Sequence, residues 1–385
     1  MIKKKPISNP SSERLLQARL SRGLSGTELA EKMEISKQSI YQFERGVASP
    51  SIATITKYQE ILNFPYCFFF KPSVANVESG AYHFRKLRKT RDVEKGIVRV
   101  WINWMIDLYN DLSEFIETPK FQVLLKNQET YSKDELENIA DELRKYWNLG
   151  LGPISNITSL LENKGFMISK WDSFGEDADA CTKIINLDGK VKSFSCVTDK
   201  DTRSACRMRF SLIHELAHVV LHSWADQEYI DDKNNHARME KEANYFAGAF
   251  LMPMDSLFKE IYSFTNIESY IALKARWKIS ISAMVYRAKE LNFLTDNQFL
   301  YLQKQISYKR IREKEPLDDI IPIENPLLYN SAINMILDEN VATGEDLLNM
   351  FSLPVEEINQ ICGFQSNNSP FSSSVSKKIN LRIVY

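Results

Sequence analysis

Apolar residues along the chain recur mostly at spacings of three and four, the period of helices that bury one face. Between Glu13 and about Lys71, short amphipathic segments are punctuated by start and stop signals. Arg22-Gly23-Leu24-Ser25 ends one helix, Ser36 can cap another, Gly46 after Arg45 closes it, and Ser49-Pro50-Ser51 opens a fourth. Residues 71–80, with Pro, Ser, Asn and Gly, predict a linker. From there to about Trp147, apolar positions such as Ile97, Val100, Trp101, Trp104, Met105 and Leu108 keep helical spacing. The pattern changes after Gly150. Phe166–Ile168, Ile184–Leu187 and Phe194–Val197 read as short strands, with a tight hairpin turn at Asp188-Gly189. Arg203 to Leu221 returns to helix, Trp224 to Asn235 reads as polar loop, and Ala237 to Leu251 is helix again, stopped by Met252-Pro253. Helical signals continue to Cys362, and the Ser-rich end reads as a loosely held tail.

The fold class expected is α+β, mostly helical. It comprises a five-helix N-terminal domain over residues 1–72, a helical connector over 73–148, a small domain with a short sheet over 149–262, a C-terminal helical domain over 263–364, and a tail over 365–385. A chain of 385 residues is too long for one core of ordinary size, which supports several folding units. A net charge of -1 offers no global argument for a nucleic-acid partner, so that case has to rest on a local motif. Five scattered cysteines (Cys67, Cys181, Cys196, Cys206, Cys362), none in a C-x-x-C pair, disfavour a disulfide framework and a thiolate zinc site. They suit a reducing cytoplasm. The basic N-terminus lacks an apolar core, and no segment reaches bilayer-spanning length, so a cytoplasmic protein with no membrane partner is expected. The run Tyr66–Phe70 is too brief for a span and reads as core.

The sharpest chemical signal is His214-Glu215-Leu216-Ala217-His218 inside an apolar helix. Positions i and i+4 share a helix face, so His214 and His218 can direct imidazole nitrogens at one zinc ion. Glu215 is offset from that line. The offset suits it to take a proton from an attacking water as general base and to deliver it to the leaving amine. A catalytic site of this type needs a third protein ligand, and Glu240 and Glu242 compete for that role. Glu240 shares a helix face with Ala243, Asn244 and Ala247, small or polar residues that permit close approach and a hydrogen bond between Asn244 and a ligating imidazole. Glu242 falls with Phe246 and Phe250 and reads as a surface or helix-stabilising carboxylate. Four of the five histidines (His214, His218, His222, His236) gather in this region. His222, one turn beyond His218, is read as packing or as support for a ligand, and Tyr229 and His236 as solvated loop residues, with a donor to the oxyanion of a tetrahedral intermediate as the alternative role.

Arg207-Met208-Arg209-Phe210 leading into this pentapeptide, followed by Glu240-Lys241-Glu242-Ala243-Asn244-Tyr245-Phe246-Ala247 and Met252-Pro253, resembles the ImmA/IrrE family of metallopeptidases. Residues 152–166 and 273–295 also resemble the flanking regions of longer members. The resemblance implies a minimal gluzincin-like domain with Zn2+ held by His214, His218 and Glu240. The family pattern allows glutamine at the place of Glu242, which favours Glu240.

In the N-terminal domain, Thr27–Met33, a turn through Glu34-Ile35, and Ser36–Gly46 form a helix, turn and helix with Ala30 at the tight contact. Lys37, Gln38, Ser39 and Gln42 would face base edges or phosphates in a major groove, with Ile40 and Phe43 toward the core. This region is similar to XRE-type, Cro/repressor-like helix-turn-helix domains, in which Arg19 and Glu44 would form a structural ion pair. It departs from them at Gly26, where glutamine is common. The basic cluster Arg85–Lys89 with Arg91 can add phosphate contacts or simply be a solvated face. Residues 277–288 resemble a second helix-turn-helix shape, read as structural or substrate-docking.

The combined expectation is a DNA-binding regulatory zinc metallo-endopeptidase with double-stranded operator DNA and a protein substrate as partners; a homodimer is compatible with it. By resemblance the substrate is a transcriptional repressor of stress-response or mobile-element genes. Two rival readings stand beside it: a transcriptional regulator whose peptidase-like domain is a non-catalytic sensor, and an antitoxin-like partner-binding protein.

Overall fold

The computed structural model describes residues 9–73, 82–84, 92–171, 180–187, 190–198, 204–312, 314–365 and 367–371. Four short helices open the chain: α1 (Ser12–Ser21), α2 (Gly26–Met33), α3 (Lys37–Glu44) and α4 (Ile52–Leu62). Each begins where a serine hydroxyl accepts a backbone N–H of the first turn: Ser11, Ser25, Ser36 and Ser51. Ser25 and Glu28 complete a reciprocal capping box. In place of a fifth α-helix stands a 3-10 turn at Tyr66–Phe70; it follows Pro65, which offers no side-chain cap, and turns Phe68 and Phe69 into the core. Arg19 and Glu44 form the bidentate ion pair implied by the resemblance, at 2.6 and 2.7 Å.

α5 (Asp92–Leu112) is apolar nearly all round from Val98 to Leu108, the mark of a helix enclosed by others. On one side Trp104 packs against Phe64 and Phe68, and Asp107 pairs with Arg14 of α1 at 2.8 Å. On others Tyr109 meets Phe194, and the Tyr329 hydroxyl donates to the Met105 carbonyl at 2.7 Å. One hydrophobic core therefore unites the first four helices, α5, one face of the sheet and three late helices, α15 (Leu328–Asp338), α16 (Gly344–Phe351) and α17 (Val355–Cys362). Lys71 joins these parts through Asp111 at 2.5 Å and the Met350 carbonyl at 2.8 Å.

A second core gathers α6 (Lys133–Tyr146), α7 (Ile157–Asn163), α8 (Ala205–His222), α10 (Lys233–Leu251), α11 (Met254–Glu260), α12 (Ile267–Trp277), α13 (Ile281–Glu290) and α14 (Asp296–Tyr308). The stretches read as a connector and as a C-terminal domain are thus each divided between the two cores. Periodicity reveals which face of a helix is apolar but not which partner will cover it.

The sheet has the order β1-β3-β4-β2, with β1 at Tyr82–Phe84, β2 at Phe166–Trp171, β3 at Ala180–Leu187 and β4 at Lys190–Thr198. β3 pairs antiparallel with β1 and β4, and β2 runs parallel to β4. Leu187 lies opposite Lys190, which puts the expected turn residues between them, although Asp188-Gly189 themselves lie outside the described residues. Gly165 enters β2 at φ +87°, and a Cβ there would stand 2.6 Å from the Lys120 carbonyl oxygen, so only glycine fits. Residues 74–80 of the linker expected over 71–80, the basic cluster 85–91, and all of the tail expected over 365–385 except 365 and 367–371 also fall outside the described residues. Among the described residues no helix is long and apolar enough to cross a membrane, and all five cysteines are free thiols.

Candidate functional site

α8 is capped by Ser204 and buried continuously from Ser211 to His222. Arg209 anchors its first turns, pairing with Glu324 and donating to the Ile154 carbonyl at 2.6 Å. The polar stretch expected as loop after α8 instead holds α9 (Gln227–Asp231), and α10 starts at Lys233, not Ala237. Asp226 and Asp232 cap these two helices; their first turns are polar, so no apolar periodicity announced them. α10 crosses α8 with Ala243 and Ala247 fully buried, and such small side chains let the two backbones come close.

At this crossing three side chains converge. His214 Nε2 and His218 Nε2 are 3.1 Å apart, and Glu240 Oε1 lies 3.1 Å from His218 Nε2 and 3.4 Å from His214 Nε2. A tetrahedral ion with ligand bonds of about 2.0–2.1 Å needs its ligand atoms about 3.3 Å apart, close to these three edges. The distal nitrogens are engaged too: His214 Nδ1 with Asn244 Oδ1 at 3.1 Å, and His218 Nδ1 with His222 Nδ1 at 3.1 Å. Two imidazoles oriented from behind, plus one carboxylate oxygen, form a donor set that fits a divalent metal.

Of the two readings of Glu242, that of a surface carboxylate fails, while the helix-stabilising one keeps an i,i+4 pair with Arg238 Nε at 3.8 Å. Glu242 is only 6% exposed, sits 2.9 Å from His222 Nε2, and accepts the Tyr131 backbone N–H at 3.1 Å. The helix face shared with Phe246 and Phe250 is an inward face, covered by a segment far away in sequence. His222 is fully buried, and burial, with the neighbouring His218 and His214, holds its imidazole well below the ordinary histidine range, so it is neutral. Glu215 is buried beside His214. Its charge also reaches the Cys181 thiol of β3, which burial first and Glu215 second push upward, so this carboxylate lies on the strand side of α8. Tyr229 is half-buried, its hydroxyl between Glu129 Oε1 and Arg238 Nη2, and His236 is buried on α10; neither is a solvated loop side chain as expected.

In the N-terminal domain, Lys37 and Gln38 are exposed at the start of α3, Gln42 is half-exposed, and Ile40 and Phe43 turn to the core. The Ser39 hydroxyl is shared with Ser36 at 2.8 Å as part of the cap.

Residues 196–289 match the model of the IrrE N-terminal-like domain, Peptidase_M78, and residues 15–69 match that of a helix-turn-helix. The chain carries an IrrE-like peptidase-family domain behind a helix-turn-helix domain. A protein of Aeropyrum pernix described as an HTH-type transcriptional regulatory protein is 48% identical over 52 residues, 14% of this chain. The match covers 16% of that relative's length. The IrrE-like match runs through α13 and so includes the stretch that resembled a second helix-turn-helix. On the helix-turn-helix domain the sequence reading missed Tyr41, Arg45 and Val47. They line one concave surface with Lys37, Gln38 and Gln42, and Tyr41 is 58% exposed with the Arg45 guanidinium over its ring. An exposed aromatic at helical spacing from a polar pair was the available signal.

Proposed function

We propose that this chain is a DNA-binding regulator that hydrolyses a peptide bond in a partner protein, with Zn2+ held by His214, His218 and Glu240. The observation that carries this reading is the triangle of ligand atoms with edges of 3.1, 3.1 and 3.4 Å, next to the buried Glu215. A zinc ion so held supplies a Lewis acid and eases deprotonation of water at neutral pH.

The protein groups do the rest. Glu215 Oε accepts the proton of the attacking water and returns it to the departing amine nitrogen, a role suited to a carboxylate kept out of bulk water. Asn244 holds the His214 ring through Nδ1, leaving its Nε2 lone pair toward the centre. On α3, Lys37, Gln38, Ser39 and Gln42 meet the major groove, Lys37 at phosphate and the amides at base edges. The family resemblance and the helix-turn-helix domain together favour a transcriptional repressor as the substrate and the cytoplasm as the place of action.

The test is metal analysis of the purified full chain, followed by incubation with repressors encoded near its gene. One zinc per chain, and cleavage lost by about 10²–10⁴-fold in Glu215→Gln with zinc retained, is the expected result. Regulation in cells that is unchanged by Glu215→Gln would reject catalysis in favour of a sensor domain.

A further inference from the structure

We infer that His222 and Glu242 are a positioning pair that sets the tautomer and ring orientation of His218, and thereby strengthens divalent-metal binding. This rests on the metal-centre reading above and assigns roles to two residues outside the ligand set. With Glu242 ionised, the hydrogen-bond chain admits one consistent arrangement of protons. Glu242, an acceptor at both oxygens, takes the Tyr131 N–H at Oε1 and faces His222 Nε2 from Oε2 at 2.9 Å. His222 therefore carries its proton on Nε2 and presents a lone pair at Nδ1. Its Nδ1 faces His218 Nδ1 at 3.1 Å, so His218 must be the donor there. That choice leaves the His218 Nε2 lone pair bare, pointing to the place where His214 Nε2 and Glu240 Oε1 converge.

The burial supports a built device. A carboxylate at 6% exposure next to an imidazole at 0% is costly to desolvate, and it is held where it is by a backbone N–H from a segment 111 residues away. The two ligand imidazoles are backed differently. His214 leans on a neutral, exposed amide, whereas His218 is connected through a second ring to a buried carboxylate, which raises the basicity of its metal-facing nitrogen.

The experiment measures Zn2+ affinity of the full-length protein by competition with a chromophoric chelator, together with thermal unfolding of the metal-free form. His222→Phe is expected to bind Zn2+ about 10- to 100-fold more weakly, with unfolding of the metal-free protein little changed. Glu242→Gln, whose amide oxygen can still accept from His222, is expected to lose about threefold to tenfold. Nitrogen-15 spectra of metal-free wild type should show His218 protonated at Nδ1, and His222→Phe should shift it toward the Nε2 form, which a purely structural contact would not do. An affinity of His222→Phe within twofold of wild type overturns the pair, provided His218→Ala abolishes binding. If His218→Ala also keeps its affinity, it is the metal-centre reading that fails. Should His222→Phe not fold, Glu242→Gln decides alone: an affinity within twofold of wild type overturns the proposal.

Discussion

Trp104→Ala asks whether the helix-turn-helix domain and the remainder of the chain are held by a shared core. Trp104 is 1% exposed in α5, its ring 5.7 Å from Phe64 and 6.1 Å from Phe68, and its Nε1–H donates to Gln17 of α1 at 3.0 Å. These three partners belong to the first 70 residues, while Trp101 of α5 also meets the ring at 6.1 Å, so most of the burial of the side chain comes from that domain. A tryptophan that buries roughly 200 Å² at about 25 cal/mol per Å² contributes about 5 kcal/mol, and core Trp→Ala changes cost about 3–5 kcal/mol. Loss of the indole N–H adds little, because Gln17 Oε1 also accepts from Arg14 Nη1 at 2.9 Å. Trp104→Phe retains most of the packing and should cost nearer to 1–2 kcal/mol. The assay is urea denaturation of the full chain by far-UV circular dichroism, with limited proteolysis of the first 70 residues in parallel. Trp104→Ala should lower stability by about 3–5 kcal/mol and expose that domain to cleavage. A loss below about 1 kcal/mol, or one no larger than that of Trp104→Phe, would refute the shared core.

Three further outcomes follow from individual residues. Burial first, against hydrogen bonds from Leu327 and Leu328 N–H, pushes the Glu162 carboxyl up from 4.5 to about 7, so the folded state retains a proton that the unfolded chain releases. Its stabilising contribution is full below pH 4.5 and is lost as pH rises through about 7, at most about 3 kcal/mol, and Glu162→Gln should flatten metal-free stability across this window. A wild-type curve equally flat would sink the assignment. Gly165→Ala forces a Cβ to within 2.6 Å of the Lys120 carbonyl at φ +87°, and should cost about 2 kcal/mol or more in chemical denaturation; a neutral effect would mean the loop at Lys120 yields freely. On an operator selected in vitro, Lys37→Ala should weaken binding uniformly across sequences and reduce the salt slope by about 1, while Gln38→Ala should relax preference at one base pair by about 1–3 kcal/mol. Equal effects of both on all sequences would argue against base reading by α3.

Local chemistry was legible where it obeys short-range rules. His214 and His218 share a face because four residues make about one helical turn, Glu240 was favoured over Glu242 by the small side chains around it, and Ser36 and Ser51 marked the starts of α3 and α4. The burial of Glu242 was not legible because it depends on the Tyr131 segment and on His222, contacts that no window of its own helix contains. α9 and the first turn of α10 escaped notice because their capping aspartates stand among polar residues, which resemble loop.

Periodicity, caps and spacing were enough to read most of the helices, the three strands after Gly150, the helix-turn-helix, and the residue types able to hold an ion. That α5 joins the helix-turn-helix domain to the late helices in one core, and that a carboxylate-imidazole pair stands behind His218, became visible only in the folded chain. Both are meetings of segments distant along the chain, and such meetings are set by how apolar faces and buried charges find cover, which a one-dimensional pattern does not encode.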